Sequence, residues 1–214
     1  MPAERQPTPS PRLLVFTSLE RAAREVMLRQ FARLSQLARK QSVLFVLRDY
    51  ELSARERVKF GRELLQVARG GEQLLAVADR ADIALLLDAD ALHLPERGLD
   101  ARDARRLVGE RRLLSRACHD PERVADHACD LVVLSPIVAA RKGNAPLGVE
   151  ALARARRRLA LAAQQPLLFA LGGVSAETAE ACLRAGADGV AVIGAALVDD
   201  PLSLLLAIGI ERKN

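Results

Sequence analysis

LLFALGGVSAETAEACLRAGADGVAVIGAAL (167–197) is the stretch that decides the fold. It opens on an apolar run, LLFAL (167–171), and breaks at Gly172–Gly173. A segment with helical spacing follows, then a second apolar run, VAVI (190–193), which breaks at Gly194. Apolar strands separated by helices imply a parallel sheet covered on both faces. Six earlier runs extend the pattern: LLVF (13–16), VLFVL (43–47), LLAV (74–77), ALHL (91–94), RLLS (112–115) and LVVL (131–134). Between them lie stretches with apolar residues at helical spacing, such as LERAAREVMLRQFARLSQLARK (19–40) and ARERVKFGRELLQVARG (54–70). Eight strands alternating with helices predict an α/β fold, a single (β/α)8 TIM barrel over residues 12–214. A doubly wound open sheet is the structural alternative. Its glycine-rich dinucleotide turn after the first strand is missing, because LLVF is followed by TSLERA. Residues 1–11 hold four prolines and read as a disordered leader.

Composition narrows the class. Half of the 214 residues are apolar and 28% are charged, so most of the chain is expected to build a core and not to be disordered. No stretch reaches the ~18 apolar residues of a membrane span. The start, MPAERQPTPSPR, lacks the apolar core of a secretory signal. Cys118, Cys129 and Cys182 form an odd set without CxxC spacing, which argues against a disulfide framework and against zinc. A cytoplasmic protein is the reading. Net charge is +5, but the many arginines are spread along helices among Leu and Ala, and aromatics are only 3%. A nucleic-acid surface would cluster its basic residues and add aromatics for stacking. No nucleic-acid or membrane partner is expected; a modest positive field suits a phosphorylated small molecule. Whether the chain forms a homo-oligomer stays open.

A barrel carries its site at the carboxyl ends of the strands. Arg48 follows strand two; it either clamps an anion or pairs with Asp49 or Glu51. Asp79 follows strand three, as a metal ligand or as the N-cap of the next helix. His93 ends strand four, as a site residue or as a satisfied core histidine. Arg116, Cys118 and His119 come after strand five, where His119 is a proton shuttle or an exposed residue at a helix start. A Cys118–His119 dyad is not expected, because adjacent residues at a strand end point to opposite sides. His127 is expected on the surface of the fifth helix. Ser135, Arg141 and Lys142 follow strand six. Gly172, Gly173, Ile193 and Gly194 offer backbone N–H groups to a phosphate, or simply make tight turns.

Together VLRDYELSARER (46–57), ADRADIALLLDADALHLPE (78–96), RACHDPERVADHACDLVVLSPI (116–137), Lys142, PLGVEAL (146–152) and ALGGVSAETAEACLRAGADGVAVIGA (170–195) resemble the thiamine phosphate synthase/TenI family of small barrels. The resemblance runs in order over about residues 13–208. It implies one of two reactions. Synthases join an aminopyrimidine diphosphate to a thiazole phosphate, with Mg2+ on the diphosphate. TenI-type members tautomerise a carboxythiazole phosphate through a histidine after strand five. Both hold the thiazole phosphate on the glycine turns of strands seven and eight.

The synthase pattern is eroded here. Gln-x-Arg-x-Lys on strand two becomes Val46, Arg48 and Tyr50, and Asn-Asp after strand three becomes Ala78-Asp79. The second metal-binding Asp falls at about Gly98, and the Thr-rich loop after strand six becomes VAARKG, which keeps Lys142. HLPE and the His of RACH instead match the TenI subgroup. The resulting expectation is a tautomerase without metal or cofactor. His119 would move the proton, Arg48 would orient the substrate carboxylate, and Gly172, Gly173, Ile193 and Gly194 would hold the phosphate. Asp79, His93, Arg116 and Lys142 are further candidates. The alternatives are a Mg2+-dependent synthase and a non-catalytic phosphometabolite-binding barrel.

Overall fold

In the computed structural model, residues 10–125, 128–140, 143–163, 165–198 and 200–212 are described. Eight parallel strands close into one barrel in chain order: β1 (Leu13–Phe16), β2 (Val43–Leu47), β3 (Leu74–Ala78), β4 (Ala91–Leu94), β5 (Leu113–Cys118), β6 (Leu131–Leu134), β7 (Leu167–Leu171) and β8 (Gly189–Val192). Closure is direct, with Leu14 of β1 paired to Ala191 of β8 and to Leu44 of β2. The helices are α1 (Arg24–Leu37), α2 (Ala54–Gly70), α3 (Ala81–Leu86), α4 (Ala101–Val108), α5 (Glu150–Ala160), α6 (Ala176–Arg184) and α7 (Leu202–Ala207). The open sheet is thereby excluded. The disordered leader read over residues 1–11 falls mainly on residues 1–9, outside those described.

Alternation along each strand divides the core in two. Leu14, Phe16, Leu44, Val46, Val133, Phe169 and Ala191 fill the lumen. Their neighbours Leu13, Val15, Phe45, Leu92, Leu134 and Val190 face the helices. Local chemistry starts the helices where the pattern requires. Ser53 and Glu56 form a reciprocal capping box at α2, and Asp100 accepts the Arg102 N–H at α4.

A repeated device builds the amino-terminal floor, opposite the mouth. Asp90, Asp130 and Asp188 each stand just before an even-numbered strand. Each accepts the N–H of the second residue of the strand before it: Leu75 at 2.8 Å, Leu114 at 2.7 Å and Leu168 at 2.7 Å. Each also pairs with an arginine of a preceding helix, namely Arg69, Arg105 and Arg156. Asp130→Ala leaves the Leu114 N–H and the Arg105 guanidinium without this partner. It is expected to cost about 2 kcal/mol and to lower the melting temperature by about 4–8 °C. Ligand affinity at the mouth should hold; an unchanged melting temperature would remove this role.

The chain after β5 corrects the sequence reading. Strand five runs to Cys118, so Arg116 and Cys118 lie within it and not after it. No helix forms between β5 and β6 among the described residues. The Asp120 carboxylate accepts the Glu122 N–H and its carbonyl accepts from Arg123, closing one turn that Val124 pins into the core. His127, expected on a fifth helix, lies outside the described residues.

Candidate active site

The floor of the mouth is apolar and holds one histidine. His93 points into the lumen, 4% exposed, edge-on to the Phe16 ring at 5.0 Å. Its Nδ1 is 2.9 Å from the Ser115 hydroxyl. Burial, reinforced by Arg48 and Arg116, pushes its pKa down to about 3, so the ring is neutral near pH 7. His93 is therefore a polar group oriented by Ser115 and not a charge.

Arg48 lies above the same Phe16, its guanidinium carbon 6.0 Å from the ring centroid. Its backbone N–H donates to the Thr17 hydroxyl at 2.9 Å, which fastens β2 to the end of β1. The sequence left pairing with Asp49 or Glu51 open; neither ion pair forms among the described residues. Asp49 instead accepts the Leu19 N–H at 2.6 Å. The Arg48 guanidinium thus has no carboxylate partner among the described residues.

Asp79 is exposed at the end of β3 in the left-handed region, φ 64°. Its N–H continues the ladder to the His93 carbonyl at 2.8 Å. The N-cap reading fails, since the cap of α3 is Arg80, without a side-chain bond. Arg80 pairs with Asp82 instead. Aspartate is among the few non-glycine residues that adopt this conformation readily, which suits Asp79 to the sharp turn out of β3.

Across the mouth, Glu96 takes hold of His119. One carboxylate oxygen accepts the His119 backbone N–H at 2.9 Å, and the other lies 3.0 Å from Nδ1. Burial disfavours the Glu96 charge, but the two bonds from His119 hold its pKa below the usual value. An ionised carboxylate only accepts, so this network assigns the proton to Nδ1 and leaves Nε2 to exchange one. The His119 side chain is 45% exposed. Cys118 points the other way: its Sγ donates to the Asp120 carbonyl, and burial pushes the thiol up to about 11. The two form no dyad.

Arg116, a candidate from the sequence, is buried and directed at the loop after β4. Its guanidinium donates to the carbonyls of Glu96 at 3.1 Å and of Leu99. Its visible work is to hold the loop that carries Glu96. Lys142 and Arg141 lie outside the described residues.

The glycine turns have a packing reason of their own. Gly172 and Gly173 have φ of 103° and 75°, and a Cβ on Gly173 would stand 2.7 Å from the Ala139 nitrogen. The loop after β6 leans on this turn, with Val138 N–H donating to the Gly172 carbonyl at 2.8 Å. After β8, Ile193 leads into a single 3-10 turn, Gly194–Ala196. A Cβ on Gly194 would meet the Arg21 guanidinium nitrogen at 3.2 Å. Arg21, exposed on the loop after β1, therefore sits over this turn.

Arg21, Glu96 and Arg57 escaped the sequence reading. Glu96 was visible in HLPE, and neighbouring loops of a parallel barrel meet, so its reach to His119 had a signal. Arg57 was the odd residue on the apolar stripe of α2, with Phe60, Gly61, Leu64 and Ala68. Arg21 had no signal beyond its position after strand one.

Fold and mouth define a (β/α)8 barrel with cationic side chains, Arg48 and Arg21, that form no ion pair among the described residues. Residues 20–196 match the family model described as thiamine monophosphate synthase, and the chain belongs to that family. It is 38% identical over 157 residues to a thiamine-phosphate synthase of Moorella thermoacetica, covering 71% of this chain and 72% of that one. A thiamine-phosphate synthase of Synechococcus sp. is 36% identical over 146 residues, 66% of this chain but 40% of the longer relative. The solved thiamine phosphate pyrophosphorylase of Pyrococcus furiosus superposes with a TM-score of 0.77 at 21% identity, covering 92% of this chain and 95% of that one, a likeness of fold. This is a barrel of thiamine biosynthesis. The relatives' names favour the synthase alternative over the tautomerase expected from the sequence. No helix among the described residues is long and apolar enough to cross a membrane.

Proposed function

We propose that this barrel, in the cytoplasm, joins a thiazole phosphate to an aminopyrimidine diphosphate, forming thiamine phosphate and releasing diphosphate. One observation carries the reading. Arg48 and Asp79, on the adjacent loops of β2 and β3, both face the mouth without ion-pair partners among the described residues, in a chain 38% identical to a named synthase.

The thiazole nitrogen lone pair forms the new C–N bond to the pyrimidine methylene carbon. The C–O bond to diphosphate breaks, and its electron pair leaves with the diphosphate. No proton has to move in that step, so the protein's task is to neutralise the leaving charge. Arg48 suits it, with a guanidinium fork that matches phosphate oxygens. Among the described residues no cluster of three or more His, Cys, Asp or Glu could cage a metal. Mg2+ needs no such cage when it arrives on substrate phosphates, because one or two carboxylates and water complete its shell. Asp79, exposed and free of hydrogen bonds through its carboxylate among the described residues, fits as that one ligand. Bound there, the ion would supply further charge neutralisation. The thiazole phosphate is assigned to the N–H groups around Gly172, Gly173, Ile193 and Gly194, with the Arg21 guanidinium over them. His93 offers a neutral hydrogen bond from the floor. Thermal-shift measurements should show stabilisation by thiazole phosphate alone, and by the pyrimidine diphosphate only with Mg2+. Stabilisation by Mg2+ alone would contradict a single-carboxylate site.

The Glu96–His119 pair favours a second reading, tautomerisation of a carboxythiazole phosphate with Nε2 of His119 carrying the proton and Arg48 orienting the carboxylate. His119→Asn separates the two. Under tautomerisation, turnover should fall by roughly 10²–10⁴-fold while phosphate affinity holds. Under joining, thiamine phosphate formation should stay within a few-fold of the parent. Following both products by NMR decides between them.

A further inference from the structure

We infer that Arg57 is a positioning residue that fixes the Tyr50 ring as a platform for a flat heteroaromatic ring entering the mouth beside Asp79. The inference deepens the joining reaction and rests on it for the identity of that ring, the aminopyrimidine.

Arg57 lies in the first turns of α2 and is only 3% exposed. One guanidinium nitrogen donates to the Ala78 carbonyl and lies 3.4 Å from the Leu47 carbonyl, the last residues of β3 and β2. Its Nε is buried with no hydrogen-bond partner among the described residues. A cation in this state is costly, and an apolar side chain of similar volume often serves a fold equally well or better. Something other than packing has to account for it. The carbonyl of Ala78 immediately precedes Asp79, so the bond holds the backbone at the point where it enters the left-handed region. The same guanidinium carbon lies 5.4 Å from the centroid of Tyr50. Tyr50 is nevertheless 48% exposed. One face of the ring is thus held by a buried cation while about half of the residue stays exposed at the carboxyl end of β2.

That geometry suits stacking. A tyrosine ring fixed from behind loses little freedom when a second aromatic ring settles on it. Tyr50 occupies the place where the family pattern carries a lysine. The exchange removes a cation from this strand end and offers a π face to the heterocycle instead. Tyr50 then sets specificity for the ring, and Arg57 acts through Tyr50 and the end of β3.

The chain has one tyrosine and no tryptophan, so tyrosine spectra report on Tyr50 alone. Arg57→Met should leave the far-UV circular dichroism as it is while the near-UV tyrosine band collapses. Together with Mg2+, the pyrimidine diphosphate should quench Tyr50 fluorescence in the parent, and kcat/KM for it should fall by roughly 10²-fold in Arg57→Met, mainly through KM. Arg57→Lys should recover part of both signals. Tyr50→Leu should reproduce the KM effect, with Tyr50→Phe retaining more affinity than Tyr50→Leu. If Arg57→Met fails to fold, the two Tyr50 variants decide alone. An unchanged tyrosine band in a folded Arg57→Met, or equal affinities in the parent and Tyr50→Leu, would overturn the inference. Quenching by the pyrimidine diphosphate without any joining would sink the proposed reaction and leave this inference standing. Joining without quenching would do the reverse.

Discussion

Gly194→Asp is expected to weaken thiazole phosphate binding by roughly 10²-fold, the scale of a lost hydrogen bond between charged groups. The position is not one where a side chain strains the backbone, since its φ lies outside the left-handed region. What the substitution changes is charge. A Cβ there stands 3.2 Å from an Arg21 guanidinium nitrogen, so the new carboxylate takes that guanidinium as its own partner. The phosphate then loses a cation and gains a repelling neighbour at the same turn. Arg21→Gln removes the cation without the repulsion and should cost about tenfold. Calorimetric titration of both variants with thiazole phosphate measures the difference. Undiminished affinity in Gly194→Asp would move the phosphate away from the turn after β8.

Asp79→Asn is expected to lower the joining rate by roughly 10²–10³-fold, the range found when one preorganised electrostatic contact to developing charge is removed. Asparagine suits the comparison because it tolerates φ near 64°, so the backbone at the end of β3 need not relax. It keeps the shape and loses the charge. The Mg2+ concentration for half-maximal rate should rise together with the fall in rate, while the melting temperature stays close to the parent's. Full activity in Asp79→Asn would remove the carboxylate from the account.

The fold was legible because each strand is a short apolar run and each interval carries helical spacing. The eight runs fall on the eight strands, with edges displaced by one residue at β3 and β8 and by up to three at β5. The largest displacement was RLLS (112–115), since β5 carries Arg116 inside the strand. An arginine there looked like the start of a loop, and only the carbonyls of Glu96 and Leu99 explain why it is buried in a sheet. The site was legible as a set of loops and less so as contacts. Arg48, Asp79, His93 and His119 all reach the mouth because barrel geometry sends strand ends there. Which of them are free was not readable. Asp49 and Glu51 stand close to Arg48 in sequence, yet Asp49 is taken by the Leu19 N–H. Glu96 and His119 are distant in sequence and meet because β4 and β5 are neighbours. The glycine pair meets a close approach, and the partner in the structure is the protein's own loop after β6.

The central claim is the joining reaction, and product analysis tests it directly. The protein is incubated with thiazole phosphate, aminopyrimidine diphosphate and Mg2+, and in parallel with each component left out, while NMR follows both rings and the phosphorus. Thiamine phosphate is expected in equal amount to released diphosphate, and only in the complete mixture. Complete mixtures that yield no thiamine phosphate, with or without conversion of a carboxythiazole phosphate to its tautomer, would contradict it.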